Sequence, residues 1–303
     1  MKQNKIRASV LLSTFNRCDK LRSFLDTMKT IDSTGLTGIE VLVIDNNSTD
    51  ATRQVVADYT SLENPEFRYL LESNPGKSRA LNMGIREAKG EIIAFTDDDC
   101  IPDPKWLENI LKEFDSDPEL SVLGGRIELH DENDLPQSIL LSKRRMFVSH
   151  AKEVCDPPAI IGANMAFRKS ALTAISGFDP LLGPGVKCRA AEDLDIVYRS
   201  LKENLKIVYS PDVIVFHNHG RRTESDDTKT SLAYAMGLGA LYFKHVMRLD
   251  LQMARIAARH IYRLTKTLTK SIITRTNFPW HRLALPAVFR GAFYYCQERL
   301  SSR

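Results

Sequence analysis

Three consecutive carboxylates, Asp97, Asp98 and Asp99, close the run Glu91-Ile-Ile-Ala-Phe-Thr and are followed by Cys100-Ile-Pro-Asp-Pro. Three adjacent anions repel one another, so a cation is their natural guest. Hard oxygen ligands suit Mg²⁺ or Mn²⁺, with substrate phosphates completing the shell. The apolar, β-branched run ahead of them reads as a strand buried on both faces. Carboxylates at the carboxyl end of such a strand stand where open α/β sheets hold ligands. A solvated acidic turn would show the same three residues, so the surroundings decide.

Other stations carry matching chemistry. Ala191-Glu192-Asp193-Leu194-Asp195 opens a helical pattern striped by Leu194, Val197 and Leu201. A carboxylate held there can act as a general base, although first-turn acids also simply favour the positive helix end. Asp45 ends an apolar strand, a position that commonly accepts hydrogen bonds from a ribose or base; an Asx-turn is the competing reading. His217 leaves another strand in His217-Asn218-His219-Gly220-Arg221-Arg222 and is a candidate metal ligand, against the commoner polar surface histidine. Lys77 and Arg79 stand at a helix start, where they can contact phosphate oxygens. Asn74-Pro-Gly-Lys-Ser78 is not a P-loop, because position 71 is Leu where that motif needs glycine.

The elements that must position these groups alternate. Strands are expected over Ala8–Leu12, Ile39–Ile44 and Phe67–Leu71, with helices through Leu21–Met28, through Val55–Tyr59 (capped by Ser48 or Thr49) and over Ser78–Ala88. This is the rhythm of parallel βαβ units. Further on, the pattern predicts a helix through Trp106–Phe114 and strands over Val122–Leu129 and Ile160–Arg168, the last with a close-approach glycine, Gly162. Residues 130–158 read as a long loop, and Gly177–Gly185 as a turn-rich piece able to act as a lid. Two short strands, Ile207–Tyr209 and Val213–Phe216, lead to His217.

With 303 residues, 43% hydrophobic and 26% charged, the chain has the make-up of a soluble globular protein with room for one large α/β domain and an appendage. Five scattered cysteines without Cys-x-x-Cys spacing argue for reduced thiols and a cytosolic setting. No cleavable signal is apparent, because the first seven residues lead straight into a core strand. The net charge of +4 hides a split: residues 231–303 hold 12 Lys/Arg and 2 Asp/Glu, leaving the preceding residues net negative. A basic tail of this kind faces an anionic surface, membrane or nucleic acid.

Taken together, these stations resemble the family 2 glycosyltransferases, inverting enzymes of the GT-A fold. The resemblance runs from about residue 6 to 222. It rests on Val10-Leu-Leu-Ser-Thr-Phe-Asn-Arg17, Val41-Leu-Val-Ile-Asp-Asn-Asn-Ser-Thr-Asp50, Lys77-Ser-Arg-Ala-Leu-Asn82 and Phe95-Thr-Asp-Asp-Asp99. Gly162-Ala-Asn-Met165, Gly177-Phe-Asp179, Gly183-Pro-Gly185 and Ala191-Glu-Asp193 continue it. It implies a Rossmann-like, mostly parallel sheet flanked by helices, and a nucleotide-sugar donor bound with Mn²⁺ or Mg²⁺. It implies that Asp45 and Thr14 line the nucleoside pocket and that Asp97 and Asp99 form the Asp-x-Asp pair, Asp99 on the metal and Asp97 on ribose or metal. Asp193 matches the catalytic base, with Glu192 orienting the acceptor. His217 matches a late metal ligand, with His219 an equal alternative, and Arg221 or Arg222, the latter preferred, faces the departing diphosphate. Many relatives carry Ala-Arg-Asn where this chain has Ala80-Leu81-Asn82, and Lys77 with Arg79 would supply the missing cation.

The tail lies outside the resemblance, which divides the chain into a catalytic part, 1–225, and a basic helical extension, 226–303. Ser231–Phe243 is uncharged but too short to span a bilayer. Val246–Lys270 reads as one long amphipathic helix with a basic stripe of Arg248, Arg255, Arg259, Arg263, Lys266 and Lys270, the pattern of an interfacial helix. Leu283–Cys296 is apolar, with Pro286 and Arg290 expected to interrupt it. These features suit a protein peripheral to the cytoplasmic face of a membrane, acting on a glycan or lipid-linked acceptor in cell-envelope polysaccharide or glycolipid synthesis. Nucleic acid is disfavoured for want of interleaved aromatics. The competing functions are a sugar-phosphate nucleotidyltransferase, which would need a glycine-rich loop where Ser13–Arg17 has none, and a catalytically silent nucleotide-sugar-binding membrane adaptor.

Overall fold

The structure, a computed structural model, describes residues 6–30, 36, 38–62, 64–274 and 279–301, with the side chains of 279–281 excepted. In chain order the elements are β1 (Ala8–Thr14), α1 (Cys18–Thr30), β2 (Ile39–Asp45), α2 (Thr52–Ala57), β3 (Glu66–Leu71), α3 (Lys77–Glu87), β4 (Ile92–Thr96) and β5 (Cys100–Pro102). Then follow α4 (Trp106–Ser116), β6 (Leu120–Leu129), β7 (Met146–Phe147), α5 (Ala151–Cys155), β8 (Asn164–Arg168), α6 (Lys169–Ala174), α7 (Glu192–Lys202) and β9 (Lys206–His217). Three helices close the chain: α8 (Glu224–Val246), α9 (Leu251–Thr274) and α10 (Pro279–Ser301).

One sheet runs β3-β2-β1-β4-β8-β6-β9-β5, with β7 also on β9. Strands β3, β2, β1 and β4 are mutually parallel, so their carboxyl ends share one edge. β8 runs antiparallel to both β4 and β6. Strands β1, β2 and β4 are buried along nearly their whole length, as double coverage by helices demands, while the edge strand β3 buries only Phe67. On one face, α1 buries Leu21, Phe24, Leu25 and Met28 at helical spacing, and α4 buries Trp106, Leu107, Ile110, Leu111 and Phe114. Each such side chain contributes about 1.5–3 kcal/mol. Trp106 brings a polar handle into this core, and its Nε1–H donates to Asn164 Oδ1 at 2.9 Å.

Packing overrides several sequence expectations. Residues 206–217 form one strand rather than two; a register shift opposite Gly125 and Arg126 absorbs Pro211, which has no amide proton for the ladder. Residues 160–163 do not join β8, which begins at Asn164. The α2 helix begins only at Thr52, with the Asp50 carboxylate rather than Ser48 or Thr49 accepting the Thr52 N–H at 3.0 Å. Within 130–158 the chain still forms β7 and α5.

The C-terminal expectation fails at its centre. No single helix covers Val246–Lys270: the chain breaks at Leu249, whose φ is 60°, and Asp250 caps α9 by accepting the amides of Gln252 and Met253 at 3.0 Å each. Pro286, in turn, does not interrupt α10. Close packing offsets the lost hydrogen bond, because α8 and α10 meet backbone to backbone. A Cβ at Gly239 would lie 1.8 Å from Val288 O, and one at Gly291 1.8 Å from Met236 O. Ala235, Met236, Leu241, Met253, Ile256 and Val288 share the core cluster that holds Leu11, Ile93 and Phe167. Among the described residues no helix is long and apolar enough to cross a membrane.

Candidate active site

The carboxyl ends of β1, β2 and β4 gather the first group of residues. Thr14 and Asp45 are register partners across β1 and β2, and the acidic triad follows directly on β4. Thr14 Oγ1–H donates to Asp98 Oδ2 at 2.8 Å. Asp45 is buried with both oxygens engaged, Oδ1 by the Ser48 amide and Oδ2 by the Tyr69 hydroxyl, each at 2.8 Å. Burial, together with that bond to Asp45, pushes the Tyr69 phenol up to about 12.

Arg17, in the loop after β1, clamps the triad. Its Nη1 donates to Asp98 Oδ1 and Asp99 Oδ2, both at 3.0 Å. Asp98 and Asp99 are nearly inaccessible, and their fates diverge. Burial raises Asp98 despite Arg17, with Asp99 adding repulsion. Asp99 also suffers burial, yet the hydrogen bond and charge of His217, then Arg17 and Lys20, hold it well below the usual carboxylate range.

His217 reaches Asp99 because β5 pairs antiparallel with the end of β9, setting Cys100 opposite His217. Its Nε2 lies 3.4 Å from Asp99 Oδ1, and its buried Nδ1 has no hydrogen-bond partner among the described residues. His219 points elsewhere: Nε2 contacts Leu135 O at 3.1 Å and Nδ1 accepts the Arg221 amide at 2.9 Å. Of the two histidines, only His217 faces Asp99.

Asp99, Cys100 and His217 form a group able to hold a metal ion, their ligand atoms all within 4.8 Å of one another. The donor set suits a hard divalent ion in part. Asp99 stays ionised, and the buried His217 Nδ1 is a ring nitrogen without a partner among the described residues. Cys100 is a poor ligand, since burial and then the charges of Asp97 and Asp99 keep it a thiol. Asp97 is outside that group. Its Oδ1 accepts Lys77 Nζ at 2.5 Å, and the same ammonium stands 3.7 Å from Glu192 Oε1.

The second acid group opens α7. Ala191 precedes it with φ of 71°, a left-handed conformation unusual for a residue bearing a Cβ. Asp193 Oδ2 accepts the Gly162 amide at 2.9 Å while Oδ1 accepts the Leu194 amide at 2.8 Å. The close approach predicted for Gly162 is toward this carboxylate: a Cβ there would stand 3.1 Å from Asp193 Cβ. Glu192 is buried, and burial pushes it up to about 7 against the attraction of Lys77 and with repulsion from Asp193.

Arg79 and Arg222 do not join these clusters. Arg79 lines a separate cavity with Gly185 and Arg189. Arg222 donates to Asp134 at 2.9 Å and pairs with Asp131. The neighbouring Arg221 keeps a buried Nη1 without a partner among the described residues, and it shares the surroundings of Tyr234 with Glu192 and Asp193. Sequence reasoning missed Arg17 as a clamp, the Tyr69 hydroxyl on Asp45 and the approach of Tyr234 from α8. Only Arg17, placed where a strand leaves the sheet, carried any local signal.

Comparison with known proteins identifies the family. The family model described as glycosyl transferase family 2 matches residues 9–175. An uncharacterized glycosyltransferase of Nostoc sp. is 25% identical over 216 residues, 66% of this chain and 63% of that protein. A pre-mycofactocin glycosyltransferase of Mycobacterium tuberculosis is 27% identical over 220 residues, 68% of this chain and 43% of that one. The match thus spans less than two thirds of either relative. A solved mannosyltransferase from Pyrobaculum calidifontis, in complex with GDP-Man and Mn²⁺, superposes with a TM-score of 0.64 at 18% identity, covering 99% of this chain and 89% of that one. The shared architecture is the GT-A arrangement. With the family model covering more than half of its length, from within β1 to the end of α6, the chain belongs to glycosyl transferase family 2.

Proposed function

We propose that this chain is a metal-dependent, inverting glycosyltransferase that moves a sugar from a nucleotide-sugar donor to a hydroxyl of a glycan or lipid-linked acceptor, in polysaccharide or glycolipid synthesis. One observation carries the reading. Lys77 bridges Asp97 and Glu192, so the acids that follow β4, among them Asp99 with its neighbour His217, lie close to the Glu192–Asp193 pair that opens α7.

Breaking a sugar–phosphate bond leaves negative charge on a nucleoside diphosphate. A Mn²⁺ or Mg²⁺ ion held by Asp99 and His217, with Asp97 once Lys77 releases it, would supply Lewis-acid stabilisation of that charge. Lys77 is then free to turn its ammonium toward the diphosphate, with Arg221, rather than Arg222, as a further cation. Asp45 and Thr14 line the nucleoside side. Asp193 is the general base: two backbone amides fix its carboxylate, and it takes the acceptor proton as that oxygen attacks the anomeric carbon. The bond to phosphate breaks on the opposite face, its electron pair leaving with the diphosphate, so the centre inverts without a covalent enzyme intermediate. Glu192 orients the acceptor. Residues 1–225 carry this chemistry, and 226–303 dock the protein on the cytoplasmic face of a membrane.

Thermal shift tests the reading. UDP-, GDP- and dTDP-sugars are screened with and without Mn²⁺ on wild type, Asp99→Ala and Asp193→Asn. One nucleotide class should stabilise the protein only with metal, lose that effect in Asp99→Ala and keep it in Asp193→Asn. No metal-dependent shift from any nucleotide, in folded protein, would favour the silent adaptor instead.

A further inference from the structure

The geometry points to a second anion site beside the cleft, one that takes the phosphate or diphosphate group of an acceptor. Naming an acceptor rests on the transferase reading; the site itself rests on side chains. An open cavity of about 580 Å³ is lined by Arg79, Lys187 and Arg189, with Gly185 and Glu298 among its walls. Lys187 is neutralised, its Nζ 2.7 Å from a Glu298 carboxylate oxygen. The guanidinium groups of Arg79 and Arg189 have no hydrogen-bond or ion-pair partner among the described residues. Two unpaired guanidinium forks on one cavity offer the planar, multidentate donors that phosphate oxygens match.

The fold builds this juxtaposition. The Gly183–Gly185 loop is pinned to the start of α3 by the Lys77 amide on Pro184 O at 2.9 Å and by Ser78 Oγ on Leu182 O at 2.7 Å. The Gly183 amide closes the loop on Ala190 O at 3.2 Å. Arg189 is held at a φ of 65°, a conformation a non-glycine residue keeps only when its surroundings impose it. Both arginines therefore stand on a fixed frame, which lowers the ordering cost of binding.

That frame also borders the cleft. A Cβ at Gly183 would lie 3.2 Å from Glu192 Cδ, while Gly185, two residues on, lines the cavity. Two residues span at most about 7 Å. An acceptor whose phosphate sits between Arg79 and Arg189 can therefore extend its hydroxyl past the loop toward Asp193. The donor diphosphate belongs on the other side, with Lys77 and the triad.

The test is equilibrium dialysis of labelled inorganic pyrophosphate against the full chain in EDTA, which removes metal-dependent donor binding. Wild type and Asp99→Ala should bind alike. The double variant Arg79→Gln/Arg189→Gln should bind at least about 100-fold more weakly, and Arg79→Lys/Arg189→Lys should recover part of the loss. Thermal melts confirm folding. Tighter competition by geranyl diphosphate would assign a lipid-linked carrier, and tighter competition by glycerol phosphate a soluble phosphate-bearing glycan. Undiminished binding in the Gln variant, or none in wild type at about 10 mM pyrophosphate, overturns the proposal. If pyrophosphate binds here while every nucleotide sugar fails in the thermal screen, the transferase reading falls and this site stands.

Discussion

Lys77 Nζ lies 2.5 Å from Asp97 Oδ1 and 3.7 Å from Glu192 Oε1, so one mostly buried ammonium joins the acids at the end of β4 to those that open α7. Burial disfavours its charge, but Asp97, then Glu192 and Asp193, hold its pKa above the ordinary lysine value. Lys77 therefore stays charged throughout the working range and is available to a phosphate. Lys77→Met should lower kcat/KM for the donor by about 100-fold, the loss typical of one electrostatic donor in a water-poor site. Lys77→Arg should recover part of it. Steady-state kinetics with far-UV circular dichroism checks this, and a variant within a factor of three of wild type would remove Lys77 from the chemistry.

Much of this site was legible because the chain order of a parallel sheet delivers strand ends to one edge. Asp45, Asp97, Asp99 and His217 each follow an apolar run, and runs show in sequence. Invisible were the pairings between ends. Arg17 meets Asp98 and Asp99 across more than eighty residues, and whether Arg221 or Arg222 faces inward depends on Asp131 and Asp134 in a loop without periodicity. The break at Leu249 had a local clue, a cap residue at Asp250, that the longer amphipathic stripe concealed. Pro286 is tolerated inside α10 because its cost is local while the compensating packing comes from α8.

Glu192 gives a pH-dependent signature. Burial raises it to about 7, above the unfolded value of about 4.3. A carboxyl raised on folding contributes stability that is fully present below about 4.3 and lost as pH rises through about 7. Glu192→Gln keeps the shape without the charge. It should match wild type near pH 4.5 and exceed it above pH 7, by on the order of 3 kcal/mol. Urea melts at three pH values decide, and a difference independent of pH would contradict the buried, raised carboxyl.

Asp195 shows the opposite sign. It is fully buried and receives Lys244 at 2.7 Å, Arg199 at 2.8 Å and His245 at 3.0 Å. Burial opposes its charge, but the His245 hydrogen bond and then Lys244 and Arg199 hold it below the usual carboxylate range. Stability from a depressed carboxylate is present above its unfolded value, about 3.9, and lost as pH falls through the folded one. Asp195→Asn strands buried cations and should cost about 3–5 kcal/mol at pH 7. The gap from wild type should narrow below about pH 4, and a gap that stays constant to pH 2 would show that the loss is packing alone.

The proposed membrane docking rests on the outer faces of the last two helices. Residues 251–274 contain no acid, and Arg255, Arg259, Lys266 and Lys270 are exposed. On α10, Pro286, Phe289, Phe293 and Leu300 recur at helical spacing on the solvent side, with Phe289 58% and Phe293 64% exposed. Aromatic side chains left in water beside a basic helix match an interface of apolar chains and anionic headgroups. The full chain should sediment with vesicles containing phosphatidylglycerol and far less with phosphatidylcholine alone. Neutralising the four cations to Gln should erase that preference, each contributing about 1 kcal/mol near a charged surface. Phe289→Ser/Phe293→Ser should weaken binding even at high salt, where charge is screened. Because both rings lie outside the core, the fold survives the change, so unaltered sedimentation by this variant would leave electrostatic contact as the whole of the attachment.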